Sequence, residues 1–464
     1  MDSSTVATVS DEAKTADSPS YGLRQHVLSP LETLAQSVSL IAPSTTPTLT
    51  VPLVFALCGA GTGLAYLIAT VAMVLVALCI ASFARESASP GSLYSYAHSS
   101  LSPAWSALTA WALFFAYVMT ASSVIGGFLN YAYVFLDEYH LHVSPVLLSL
   151  VAAGGAMWVA YRDIKVSAEL MLWIEGVSVC LVAFVTGITL WKHGLHFDVS
   201  QVRLKGVSAQ QVRMGVMLAI FSFVGFESAT TLGSEARDPL KTIPRAVIQS
   251  ALLAGLFFIV CTYGEILGFR GSPTTLDASA APFHYLSAQA GVRMVGTVID
   301  VGVLISMFAA TLACVIAASR VLLLMAHHGL AHSRFGVTHA RNETPGLASI
   351  LTAVLAFLPV AVIAHRGASG ADIYGWMGTL AVFGFLTAYT MAAIALAVHL
   401  RREQRLTLAG GLLAAAATLA MIAGLLGNIF PVPPAPYRYF PYIYGVYLVV
   451  AMGWYGLSRQ RDRA

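Results

Sequence analysis

The sequence predicts an all-α integral membrane protein with about twelve transmembrane helices. Charged residues make up only 10% of the 464 residues and apolar residues 57%, whereas a soluble protein carries roughly 25% charged residues. Apolar runs recur from Leu31 to the C-terminus, and each can cross a hydrocarbon core of ~30 Å as a helix of about 20 residues. These runs lack the strict alternation of a membrane β-barrel. The composition therefore excludes a soluble protein.

The predicted spans follow a polar N-terminal segment, residues 1–25, which we expect to be a disordered cytoplasmic tail without a signal peptide. Residues 26–464 form a single transmembrane domain. The spans are 31–57, 62–83, 104–130, 143–161, 167–191, 213–233, 245–269, 294–326, 346–365, 371–399, 407–428 and 439–457. The five cysteines lie in or beside apolar runs without metal or pairing patterns, so we expect them to pack in the interior.

Loop charges predict the orientation in the membrane. With the N-terminus inside, the inner loops and the C-terminus carry 14 of the counted Lys and Arg residues and the outer loops carry 8. The positive-inside rule therefore predicts a multi-pass cell-membrane protein with both termini in the cytoplasm. The net charge of +3 is spread over many loops, which predicts no nucleic-acid partner, whereas the apolar spans predict a lipid bilayer environment. No feature of the sequence indicates an oligomeric state.

Two spans contain an irregular segment. Span one holds SLIAPSTTPTLTVP from Ser39, where Pro43 and Pro47 are predicted to break the helix. Span six holds Gly225, followed two residues later by the carboxylate of Glu227. Each break opens a set of five spans, residues about 31–192 and 213–400, and an odd number of spans makes the second set inverted. Two extra helices follow at about 407–457. Broken helices at corresponding positions predict a substrate site at mid-membrane.

Three local motifs resemble the amino acid–polyamine–organocation superfamily of permeases. They are FARESASPGSLYSYAHSSLSPAWSALTAW from Phe83, GFESATTLGSEARDPLKTIPRAV from Gly225 and ASRVLLLMAHHGLAHSRFGVTHARNETP from Ala318. The resemblance covers about residues 25–460. It implies the inverted-repeat, leucine-transporter-like fold, alternating access, and an amino acid or amine substrate.

Span one departs from the family pattern, which usually has a glycine-rich break. Here the segment from Ala42 to Thr48 contains no glycine. We predict that Ser44, Thr45 and Thr46 contact the substrate through backbone N–H groups and hydroxyls, helped by the dipole of the half-helix that follows. The alternative is that the hydroxyls only satisfy backbone groups freed by the prolines.

The break in span six supplies further candidate site residues. Phe223, Gly225 and Phe226 surround it, and carbonyls freed there suit an ammonium group, with an aromatic ring as a gate or cation–π partner. The alternative for Gly225 is close helix packing. Glu227 is a candidate for proton coupling or an internal partner for backbone donors.

Glu175, in the middle of span five, is a second candidate titrating group inside the membrane. Some proton-coupled relatives place a lysine within span five, but this span contains none. Tyr117 and Ser123 of span three lie where this fold lines its central site. Trp376 of span ten is a candidate gate.

Tyr374 of span ten is a candidate gate or a member of an interfacial aromatic belt. Glu265 and Asp300, towards the outer ends of spans seven and eight, are candidates for function or for contact with the wet interface. Sodium coupling would need oxygen ligands from spans one and eight, and in span eight the candidate ligands are the hydroxyls of Ser306 and Thr311.

The resulting hypothesis is a secondary active transporter for an amino acid or related amine, driven by an ion gradient or by exchange. No cofactor, metal site or catalytic residue is predicted. A coupling ion, H⁺ or Na⁺, is expected, with protons favoured by Glu175 and Glu227. The alternatives are a polyamine or ethanolamine permease, and a non-transporting membrane sensor with the same fold. No nucleophile elbow or phosphate-binding loop indicates an enzyme or an ATP-driven pump.

Overall fold

The computed structural model describes residues 21–162, 164–194, 198–204 and 206–461. Within these ranges the chain is helical and contains no β-strand beyond one isolated bridge. The twelve spans, in order, are Pro30–Ile41 with Thr46–Thr50 and Val51–Cys58; Thr62–Ala84; Pro103–Glu138; Pro145–Arg162; Ile164–Lys192; Ala209–Phe221 with Ser228–Leu232; Pro239–Gly268; Arg293–His327; Gly346–His365; Gly370–Arg402; Leu408–Gly427; and Phe440–Arg461. The prediction of twelve helices is confirmed.

Among the described residues, ten stretches are long and apolar enough to cross a membrane on their own. The first, Pro30–Ala84, contains both span one and span two. Span six does not qualify because its break divides it into a 13-residue helix and a five-residue 3₁₀ turn. The same break that indicates a substrate site therefore leaves span six without a single helix long enough to cross a membrane.

Span one breaks at Ala42 and Pro43. Ala42 adopts the left-handed conformation, with φ 47° and ψ 65°, which is uncommon for a residue with a side chain and ends the first half of the helix there. The prediction that Pro47 also breaks the helix is wrong. It lies in the first turn of the π-helical segment Thr46–Thr50, where the N–H that proline lacks has no partner within the helix. Only Pro43 therefore interrupts span one.

The two broken spans pack in an antiparallel pair, as an inverted repeat requires. The half of span one before its break contacts the half of span six after its break, and the two remaining halves contact each other. Two hydrogen bonds join the first pair: the Ser228 hydroxyl donates to the carbonyl of Gln36 at 3.1 Å, and the Ala229 N–H donates to the Ser37 hydroxyl at 3.0 Å. Among the stretches long enough to cross a membrane on their own, those of spans three, eight and ten are the most deeply buried, and those of eleven and twelve the least.

The N-terminal segment packs against the residues that follow span six, on the side of the bundle where the described chain begins and ends. Residues 26–28 lie beside residues 234–237, which follow span six. The Leu28 N–H donates to the carbonyl of Glu235 at 2.9 Å, and the Arg237 N–H donates to the carbonyl of Leu28 at 2.8 Å. The tail predicted at residues 1–25 lies outside the described residues up to residue 20, whereas Leu23 is already buried. Packed structure therefore begins before residue 26.

A buried ion pair holds this closure to span eight. Arg320 donates from Nε to one carboxylate oxygen of Glu235 at 2.7 Å and from Nη2 to the other at 2.8 Å. Both side chains are almost inaccessible, at 2% and 0% exposure. This two-point pairing ties the end of span six to span eight.

Candidate functional site

A small cavity lies between the two breaks. Spans one, three, six and ten line it. The lining residues are Leu40, Ile41, Ala42, Thr45, Thr46, Thr120, Val124, Phe221, Ser222, Val224 and Tyr374. None of these side chains carries a formal charge. The cavity is thus apolar with a few hydroxyl groups, a composition typical of small-molecule sites.

The hydroxyl of Thr45 is occupied by the backbone. It donates to the carbonyl of Ala42 at 2.7 Å, and the Thr48 hydroxyl donates to the carbonyl of Ser44 at 3.0 Å. These bonds satisfy carbonyls that the break frees, as the alternative interpretation expects. Thr45 and Thr46 nevertheless line the cavity, so their predicted contact with substrate stays a prediction.

Ser44 faces a second polar cluster instead of the cavity lining. Its backbone N–H donates to Oε1 of Glu175 at 2.8 Å, and its hydroxyl donates to that of Ser306 at 3.1 Å. The Ser306 hydroxyl in turn donates to Oε2 of Glu175. Glu175 is fully buried, and both of its oxygens accept hydrogen bonds. The cluster therefore joins the break in span one to spans five and eight.

Ser306 is thus engaged with Glu175, and the hydroxyl of Thr311 donates to the carbonyl of Met307 at 2.8 Å. In the part of the chain that the structure describes, no group of three or more His, Cys, Asp or Glu side chains is arranged to hold a metal ion.

Gly225 allows the break in span six to approach span one. Its φ is +97°, and a Cβ atom there would lie 1.8 Å from Cδ2 of Leu40. A side chain is thus excluded both by the backbone conformation and by the neighbouring leucine. Phe223 and Phe226 are not among the lining residues. Their rings pack against Phe258 and Tyr389, with centroids 5.2 and 5.5 Å apart.

Glu227 follows the break in span six on the side of the chain ends. Tyr117 of span three donates to its Oε1 at 2.8 Å, and Tyr389 of span ten donates to its Oε2 at 2.6 Å. All three side chains are fully buried. Tyr117 therefore meets a carboxylate and not the cavity, and Glu227 is tied to two scaffold helices. Nothing in the sequence marks Tyr389 as a site residue, because it is one of several aromatic residues in an apolar helix.

Tyr374 closes the cavity on the opposite side. It is 3% exposed, which favours the gate over the interfacial belt. Its hydroxyl bonds with that of Thr50 at 2.8 Å, and its ring meets that of Phe221 at 5.4 Å. Ser123 donates to the carbonyl of Tyr374 at 2.6 Å and so positions this residue. Trp376 follows two residues later, about 200° around the helix; it is half-buried against the core and is not among the lining residues.

Comparison with known proteins adds an independent observation. A family model described as amino acid permease matches residues 41–456. The methylthioribose transporter of Bacillus subtilis (strain 168) is 24% identical over 358 residues, 73% of this chain and 74% of that protein. The branched-chain amino acid permease BcaP of the same organism is 23% identical over 368 residues, 75% of each chain. The low-affinity putrescine importer PlaP of Escherichia coli (strain K12) is 27% identical over 311 residues, 64% of this chain and 66% of that protein.

Two solved structures share the fold. MhsT in complex with L-phenylalanine gives a TM-score of 0.56 at 14% identity, covering 87% of this chain and 98% of that chain. A Na⁺-coupled sialic acid symporter in a substrate-bound outward-open state gives 0.52 at 11% identity, covering 85% and 89%. The predicted leucine-transporter-like fold is confirmed.

Proposed function

Because this chain belongs to the amino acid permease family, we propose that it is a secondary active transporter for a small amino acid with an uncharged side chain. The cavity between the two breaks supports this proposal most directly. It is small and lined by aliphatic and aromatic side chains with a few hydroxyls. A charged substrate side chain would lose its hydration there without gaining an opposite charge, which is costly.

The polar ends of the substrate would meet the backbone of the broken helices. Thr45 and Thr46 line the cavity where span one resumes, and the N-terminal end of a helix attracts an anionic group such as an α-carboxylate. The carbonyls released at the break of span six suit the ammonium group. A polyamine would need carboxylates along the cavity, and none lines it.

Alternating access would use the contacts that now close both sides. In the proposed orientation, with both termini in the cytoplasm, Tyr374 and Phe221 close the outer side and Glu227 with its two tyrosines closes the inner side. Opening inward requires these tyrosines to release Glu227, and opening outward requires Tyr374 to leave Thr50. The broken spans one and six would move as a pair against spans three, eight and ten.

Proton coupling is proposed at Glu175. Its carboxylate connects the break in span one, through Ser44, to span eight, through Ser306. Protonation would weaken both contacts, because a neutral carboxyl is a poorer acceptor than a carboxylate. A Glu175→Gln protein is expected to exchange substrate but to lose accumulation driven by a pH gradient. Accumulation by wild-type protein in a sodium gradient, with no response to pH, would contradict proton coupling.

The test of substrate class is uptake into proteoliposomes, measured in competition with a panel of amino acids and amines. Competition by small neutral amino acids is expected. Competition by amines alone would favour the amine permease, and saturable binding without flux would favour the sensor.

Two phenylalanines provide a matched pair of variants for this assay. Phe221 lines the cavity, whereas Phe223 packs against Phe258 outside it. Phe221→Ala is expected to shift the preference towards larger side chains. Phe223→Ala is expected to lower stability, by about 3–5 kcal/mol, without changing the preference. An equal change of preference in both variants would contradict the assignment of the cavity.

A further inference from the structure

Span seven carries a buried carboxyl group without a partner. Glu265 is 1% exposed, and neither of its oxygens has a hydrogen-bond partner among the described residues. Thr262, three residues earlier and so on the same helix face, is also fully buried, and its hydroxyl likewise has no partner there. Glu175 and Glu227, in contrast, each accept hydrogen bonds at both oxygens.

Among the described residues, the groups that interact electrostatically with Glu265 include Tyr66 of span two, Tyr131 of span three and Cys261 of its own helix. None of these three side chains carries a positive charge. Asp300 of span eight acts on the same Tyr131 phenol. Within the described ranges, no salt bridge includes Glu265.

The two tyrosines beside Glu265 hold the two broken helices. The Tyr66 hydroxyl bonds with that of Ser222, a lining residue of the cavity, at 3.0 Å. The Tyr131 hydroxyl donates to the carbonyl of Thr48, in the resumed part of span one, at 3.1 Å. Glu265, three residues from the end of span seven, thus interacts electrostatically with both tyrosines that hold the broken helices.

A carboxylate without hydrogen bonds or a counter-charge is very costly to bury, and such a group takes up a proton instead. We propose that Glu265 is a proton-binding site, and that it must bind one proton from the outer side before that side can close. The step is only the addition of a proton to the carboxylate, which forms a neutral acid. In the ionised form, its oxygens would draw the O–H groups of Tyr66 and Tyr131 away from Ser222 and Thr48.

The proposal rests on the transport function, and the test separates the two. Substrate exchange is measured in proteoliposomes with the same pH on both sides, so that no proton gradient contributes. Wild-type exchange is expected to fall about tenfold per pH unit once the medium ionises Glu265 in the open state, because one proton is required. Glu265→Gln, which is neutral at every pH, is expected to keep exchanging in alkaline medium.

Glu86→Gln is the matched control, because Glu86 is an exposed carboxylate in a loop, and this variant is expected to retain the wild-type profile. An alkaline fall in Glu265→Gln equal to that in wild type would overturn the proposal.

The protonated acid can also be observed directly, as a carboxylic C=O band in infrared spectra of the closed protein that Glu265→Gln lacks. If wild-type protein exchanges no substrate, the transport function fails, and the infrared band still decides whether Glu265 holds a proton. Absence of this band from wild-type protein would overturn the proposal.

Discussion

The buried pair of Glu235 and Arg320 allows a prediction with a defined magnitude. Glu235→Met removes the acceptor of two guanidinium N–H groups, which bond at 2.7 and 2.8 Å, and leaves a cation that is 2% exposed. Breaking a buried pair in this way costs about 3–5 kcal/mol. Since about 1.4 kcal/mol is a factor of ten, the equilibrium constant between the folded and the unfolded protein should fall more than about a hundredfold.

The assay is a double-mutant cycle on the purified protein. Glu235→Met, Arg320→Met and the double variant are compared by unfolding in detergent, with substrate exchange as a second readout. The double variant is expected to recover most of the stability that each single variant loses, because apolar residues of similar volume often replace a buried pair at little cost.

The outcome that would refute this reasoning is additive loss, with the double variant less stable than either single variant. The control is Glu86→Met, which breaks the exposed pair of Glu86 with Arg405, 2.7 Å apart. A pair of this kind contributes about 0–1 kcal/mol, so this variant should unfold close to wild type. A large loss there would mean that burial does not set the cost.

Three further predictions concern other parts of the molecule. Gly225→Ala should abolish folding or transport, and Leu40→Ala should not rescue it, because the clash is relieved but the φ of +97° remains; protein yield and exchange measure this, and rescue would show that crowding alone matters. Tyr389→Phe removes a hydrogen bond to the buried carboxylate of Glu227, so it should weaken closure of the inner side by about 1.5–3 kcal/mol. Chemical labelling of the cavity by a reagent added from the cytoplasmic side should then increase, and unchanged labelling would count against Glu227 as the inner gate. Partial burial raises the pKa of Glu86, but hydrogen bonds and charges from its histidine and arginine partners outweigh this and lower its pKa below 4.5. The contribution of Glu86 to the free energy of unfolding is therefore complete above pH 4.5 and is lost as the pH falls. The free energy of unfolding of Glu86→Gln should depend less steeply on acid pH, and an unchanged dependence would contradict this.

Local sequence was sufficient for much of the fold. Hydropathy and loop charge predicted twelve helices, and proline and glycine chemistry predicted that spans one and six are broken. These properties depend on neighbouring residues, because a helix satisfies its own backbone within four residues and a break needs only one unsuitable residue. The prediction for Pro47 failed because proline is tolerated in a first turn, and only the left-handed Ala42 decides where that turn lies.

The tertiary structure decided which side chains meet. Glu227 is held by tyrosines 110 and 162 residues away in sequence, and Ser44 joins Glu175 from 131 residues away. Every span is apolar and carries scattered hydroxyls, so no local pattern identifies these partners. The sequence by itself thus determined the number, type and interruption of the helices. The packing of two inverted repeats decided which polar groups share a site, because a buried polar group must find its partner across the bundle.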